Sequence, residues 1–385
     1  MLRINLNTIK APAFASLALA FASFGDAFLY PFLPVNTSVV GVPFLWVGVL
    51  LSINRFVRII SNGWMVHLFA RFGLRMIMIL AVTIAIMSTA GYAFANSIFI
   101  WLFLRICWGL AFSAMRVGTI GYAIQQKHQG FSLGLSKSLQ EGGPVIALFI
   151  TPFLLNSFNT SIVFLALFAL SLPALVFAWN LPIAKDKTQP PVKRTFFKIP
   201  STYNSITLIS AVLIDGIMVV ILGVLFLRYR IDITPMTATT LAAFYLGYRR
   251  ICLMILAPLG GVIADRVGID VVFSVTITFV ILGLLILVGG WIELGSIVVF
   301  TFYSVNTAVT PGAVTKADLH SLSAVAENAT WRDLGAAVGT LLGGFLIASR
   351  YLDTTLLIAT FILVVLLLTH LSKKQKVLKT LMVWK

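Results

Sequence analysis

Apolar runs of about twenty residues recur from one end of this chain to the other, parted by short turns, and this constrains its fold more than any other feature. A helix rising 1.5 Å per residue needs that length to cross about 30 Å of hydrocarbon, and in lipid it satisfies its own backbone groups. Counting the runs and their breaks predicts twelve spans, at 12–35, 44–66, 74–94, 98–122, 132–156, 161–182, 204–227, 238–262, 270–289, 295–315, 323–348 and 354–371. The chain is 59% hydrophobic and 10% charged, whereas a soluble domain carries about 25% charged residues. No water-soluble fold hides that much apolar surface. The expectation is an all-α, multi-pass membrane protein.

The segment from Ala184 to Arg194 is too charged and proline-rich to enter lipid, and it parts the spans into two sets of six. The predicted organisation is an N-terminal six-helix bundle over 1–183, a central loop over 184–203, a C-terminal bundle over 204–372 and a basic tail over 373–385. An even number of spans puts both termini on one side. That side holds 17 Lys or Arg, against three on the other, Arg228, Arg230 and Arg350, so the positive-inside rule makes the termini and central loop cytoplasmic. The net charge of +16 is thereby a topology signal, not a nucleic-acid patch. The run 11–22 after Arg3 and Lys10 has the outline of a secretory signal, but apolar character resumes after Asp26 and reaches Pro34, which makes it a retained first span. Cys107 and Cys252 stand singly in apolar runs, and His67, His128, His320 and His370 are scattered, so neither a disulfide framework nor a metal or other cofactor is expected.

The two sets of six repeat. A shift of 195 residues lays Arg71-Phe72-Gly73 on Arg266-Val267-Gly268 and Arg55 on Arg250, a shift of 189 lays Asp26 on Asp215, and a shift of 192 lays Glu141 on Asp333. In the second half, Gly261, Asp265, Arg266 and Gly268 form Gly-x-x-x-Asp-Arg-x-Gly, a short charged loop between two apolar runs in which a glycine permits close helix approach. The first-half copy keeps Arg71, Gly73 and Arg75 but has Ala70 and Val66 where the aspartate and first glycine belong. Arg105-x-x-x-Gly109 lies in the fourth run and Gly143-Pro144 in the fifth. Together these patterns resemble the major facilitator superfamily of transporters. The resemblance implies two pseudo-symmetric six-helix bundles with a substrate site between them, loops that latch the cytoplasmic side, an arginine often linked to proton coupling at Arg105, and an antiporter element at Gly143-Pro144. The missing first-half aspartate puts the cytoplasmic gate chiefly on Asp265 and Arg266.

Twelve charges fall inside the runs: Asp26, Arg55, Arg58, Arg105, Arg116, Lys137, Glu141, Asp215, Arg249, Arg250, Arg332 and Asp333. Each costs on the order of 3 kcal/mol at a helix centre, so they face a partner charge, the interior or a water-filled path. The expected pairs are Asp26 with Arg55 or Arg58, Asp215 with Arg249 or Arg250, and Glu141 or Asp333 with Arg116 or Arg332. Eight bases against four acids leave positive charge over, which a carboxylate or phosphate on a substrate would satisfy. Arg55, Arg58, Arg105, Arg116, Arg249, Arg250 and Arg332, with Tyr245 and Trp331, are therefore the substrate-binding candidates. Asp26, Asp215, Glu141 and Asp333 are the proton-coupling candidates, the first two foremost, because the first and seventh helices line the cavity in the family.

The function expected is a proton-coupled secondary transporter in a bacterial-type inner membrane, acting as a monomer by alternating access on a small organic anion or zwitterion, a metabolite or siderophore-like compound, with export preferred. Multidrug efflux of neutral or cationic compounds and uptake by symport are the alternatives. A membrane enzyme or receptor would need a catalytic His/Asp cluster or a soluble appendage, and ATP drive a phosphate-binding loop; the sequence has none of these.

Overall fold

The computed structural model describes residues 6–126, 129–183, 200–230, 232–317, 321–347, 349 and 351–383. The central stretch 184–199 and the residues Lys127, His128, His320 and Arg350 lie outside them. In chain order the helices are α1 (Leu6–Ala22), α2 (Phe24–Phe32), α3 (Thr37–Val40), α4 (Phe44–Phe72), α5 (Leu74–Tyr92), α6 (Ile98–Ile124), α7 (Gln129–Ser157), α8 (Thr160–Ser171) and α9 (Pro173–Trp179). There follow α10 (Thr202–Ser210), a π-helical segment Ala211–Ile217, α11 (Met218–Tyr229), α12 (Pro235–Val267), α13 (Ile269–Val288), α14 (Ile292–Ala317), α15 (Ser321–Leu346) and α16 (Leu352–Val383).

Among the described residues ten helices are long and apolar enough to cross a membrane, or eleven with the bent pair of α1 and α2 taken as one span. The remaining expected span is α15, which is less apolar because it carries Glu327, Arg332 and Asp333. The first span bends by 40° at Ser23, where the Ser23 hydroxyl donates to the Leu19 carbonyl at 2.7 Å and so competes with the backbone ladder. Pro173, lacking an N–H, divides α8 from α9.

The turns after the second and eighth spans are shorter than the sequence suggests. Helix α12 runs through Asp265 and Arg266 to Val267, so the supposed loop from Gly261 is helical and its one non-helical residue is Gly268, at φ +103°. Its counterpart is Gly73 at φ +81°, between α4 and α5. Both glycines occupy backbone that side chains rarely adopt, and they stand 195 residues apart as the repeat requires.

The chain forms two compact units, one of Met1–Arg194 with Leu222–Met254, the other of Thr195–Ile221 with Ile255–Lys385. In each, glycines bring helices to backbone contact. In the first, α7 lies on α1, and a Cβ at Gly143 would overlap the Ala20 carbonyl oxygen. In the second, α15 lies on the π segment, and Gly335 and Gly339 stand against the Leu208 and Val212 carbonyls in the same way. Gly335 is Gly143 shifted by 192. From Ala20 to Asp26 is six residues and from Leu208 to Asp215 seven; the extra one falls in the π segment, across which the shift rises by one.

Candidate functional site

In the first unit, Gly109 sets the geometry. A Cβ there would come within 2.8 Å of the Asn54 carbonyl oxygen, so glycine lets α6 close on α4. One turn away on the same seam, the fully buried Arg105 donates from Nε to the Leu50 carbonyl at 2.7 Å and from Nη1 to Asp26 Oδ1. Asn54 also reaches that oxygen, at 3.4 Å. Asp26 was expected beside Arg55 or Arg58; it is held by Arg105 instead. Arg55 and Arg58, three residues apart on α4, lie over the rings of Tyr30 at 5.4 Å and Phe112 at 4.7 Å. The Tyr30 ring also lies 5.9 Å from Arg105.

Glu141, buried on α7, was expected near Arg116 or Arg332. Its Oε2 meets Arg250 Nη1 at 2.5 Å and its Oε1 meets Lys137 Nζ at 3.1 Å. Helix α12 reaches α7 because Gly247 leaves room for Phe149, whose ring meets Phe244 at 5.8 Å. Nearer the start of α12, Thr239 accepts from Asn36 at 2.8 Å.

In the second unit, Asp215 lies in the π segment. Its Oδ2 accepts from the Tyr303 hydroxyl at 2.7 Å and from Arg332 Nε at 3.0 Å. Arg249 or Arg250 was the expected partner. Arg332 is brought there by the glycine seam, since it precedes Gly335 by three residues and is carried onto the π segment with it. A turn or two earlier on α15 is a group that a search for charge pairs overlooks. Asn204 donates to Glu327 Oε1 at 3.0 Å, Asn328 donates to Asn204 Oδ1 and to Thr207 Oγ1 at 2.9 Å each, and Trp331 Nε1 donates to Glu327 Oε1 at 3.4 Å.

Arg249 is buried on α12, and Arg116 and Asp333 are partly buried on α6 and α15. Tyr245 packs on Phe226, with ring centroids 5.6 Å apart. Among the gate residues, Arg71 and Arg266 end α4 and α12, where a cation complements the helix dipole. Arg71 lies over Phe72 and Arg75 over Trp179. Asp265 is exposed in the last turn of α12, where the dipole disfavours an acid. Gly261 does not serve close approach: a Cβ there meets nothing within 4 Å, whereas one at Gly260 would come within 2.6 Å of Val305.

The model of the Major Facilitator Superfamily matches residues 15–319. No curated protein matches the chain. Among solved structures, the nucleoside transporter NupG superposes with a TM-score of 0.67 at 13% identity, covering 96% of this chain and 99% of that one. A point variant of NupG gives 0.72 at 15% identity, covering 95% and 98%. The human organic anion transporter MFSD10 gives 0.67 at 13% identity, covering 94% and 100%. At such identities the likeness is one of fold. With the repeat, the hairpin glycines and the family match over most of its length, this chain is a multi-pass membrane transporter of the Major Facilitator Superfamily.

Proposed function

We propose that the chain carries a small organic anion or zwitterion across a bacterial-type inner membrane by alternating access, coupled to protons, with export the preferred direction, both termini cytoplasmic and the monomer as working unit. The observation that carries the anion reading is the charge surplus within the spans. Arg105, Arg250 and Arg332 are matched by Asp26, Glu141 and Asp215. Counted over the spans, the eight bases Arg55, Arg58, Arg105, Arg116, Lys137, Arg249, Arg250 and Arg332 exceed the acids Asp26, Glu141, Asp215, Glu327 and Asp333, and a ligand carboxylate or phosphate would take a guanidinium bidentately. The organic anion named for MFSD10 accords with this. Uptake of succinate, uridine and tetraphenylphosphonium into proteoliposomes under an imposed pH gradient tests it: succinate should move, and less so in Arg55→Gln. Movement of tetraphenylphosphonium alone would overturn the anion reading in favour of multidrug efflux.

A second reading, a neutral hydroxylated solute of nucleoside type, is favoured by the uncharged donors and acceptors of Asn204, Thr207, Asn328 and Trp331, and NupG is a nucleoside transporter by name. Uridine movement without succinate would establish it. For the gate, Asp265→Ala should reduce transport several-fold and Arg71→Ala much less; equal losses would refute the asymmetry.

A further inference from the structure

Glu327 differs from three of the other acids inside the spans. Asp26, Glu141 and Asp215 each hold an arginine. Protonating Asp26 would strand the fully buried Arg105, a strongly unfavourable outcome, and protonating Glu141 or Asp215 would take the counter-ion from Arg250 or Arg332, whose side chains are 32% and 33% exposed. Glu327, six residues into α15 and about 9 Å from its start, is bound by two neutral donors, Asn204 Nδ2 and Trp331 Nε1. A carboxyl group there gains or loses a proton without orphaning a cation, and in either form it offers an oxygen to both donors.

The donors are themselves fixed. Asn204 is 3% exposed, and Asn328 donates to its amide oxygen, so the NH2 group of Asn204 is the one directed at Glu327. The elements packed against α15 are α10, the π segment and α14. From α10, the titratable neighbour is Tyr203, whose hydroxyl donates to Asp270 at 2.6 Å. The π segment brings Asp215 and α14 brings Tyr303, joined to one another and to Arg332. On α15 itself, Arg332 and Asp333 follow five and six residues later, and Arg332 is engaged by Asp215. Lys316, near the end of α14, has a side chain outside the described residues.

We propose that Glu327 is the carboxylate that takes up and releases the coupled proton, with Asn204 and Trp331 as its positioning residues; this rests on the proton-coupled reading above. The step is an O–H bond formed at a carboxylate oxygen with a proton from water on one side of the membrane, and broken again to water on the other.

Infrared difference spectra of the full chain in lipid vesicles, between mildly alkaline and mildly acidic buffer, test it without a substrate. The wild type should gain a protonated-carboxyl C=O band as the pH falls. Glu327→Gln should lose that band while keeping the wild-type thermal transition, Glu327→Asp should restore it at a shifted frequency, and Asn204→Ala should move it. A band of full size in folded Glu327→Gln overturns the assignment, and so does a wild type that accumulates succinate or uridine under a pH gradient yet shows no band. If the wild type shows neither band nor gradient-driven accumulation of either solute, the proton-coupled reading fails, and this inference with it.

Discussion

Arg105 shows how one side chain draws a helix-packing detail and a charge into the same place. It is 0% exposed, and two of its guanidinium nitrogens are bound, to the Leu50 carbonyl and to Asp26. Lysine, a point donor, lacks the fixed fork that presents two nitrogens to them. Removing the acid is the sharper test. Asp26→Asn leaves a buried guanidinium without its counter-ion and should lower stability by about 3–5 kcal/mol, whereas Asp26→Asn with Arg105→Gln should recover part of that loss. Thermal unfolding of the purified single and double variants measures it, and a double variant no more stable than Asp26→Asn would contradict the pairing. The charges themselves were legible in the sequence, but their partners were not. Which arginine meets Asp26 depends on where a glycine lets two backbones touch, and Arg55 and Arg58 were equally plausible by spacing alone.

Helices in this chain are positioned by such contacts more than by their apolar faces. Within α7, Gly142 and Gly143 are neighbours with opposite surroundings: a Cβ at Gly142 meets nothing within 4 Å, while one at Gly143 overlaps the Ala20 carbonyl oxygen. Gly143→Ala should therefore destabilise by about 1–3 kcal/mol through overpacking, and Gly142→Ala should be neutral or stabilise by about 0.5–1 kcal/mol. Comparing their melting temperatures in detergent checks both, and equal effects would mean the α1–α7 seam is looser than described. In α15 the signal was present in the sequence as Gly335, Gly339 and Gly343, each four residues from the next, the small-residue spacing of close membrane helices. Counting only charged side chains passed over that spacing, and it passed over the amides of Asn54, Asn204 and Asn328 too. The π segment had no signature to read, since its extra residue is apparent only when the two halves are compared at the level of contacts.

At the scale of the molecule, the span positions, the repeat and the family were legible because hydrophobic length and glycine placement are direct demands of lipid and backbone. An acid, a base and two glycines near the end of a run read as a loop at Gly261, although a helix that emerges from the hydrocarbon can continue into water. What remains of the connection is one glycine on each side of the repeat, Gly73 and Gly268. A single residue reaches at most about 3.6 Å, less than the 5.4 Å pitch of a helix. Helix α4 therefore cannot ratchet past α5 by a turn, nor α12 past α13. Each pair therefore slides as one lever hinged at its glycine, and sliding during transport has to be divided among levers rather than among individual helices. In a chain whose Cys107 and Cys252 are replaced, an engineered disulfide joining α4 to α5 near Gly73 should thus leave the transport rate within about two-fold of its reduced form, given the limited reach of one residue; arrest on oxidation would show that the lever bends.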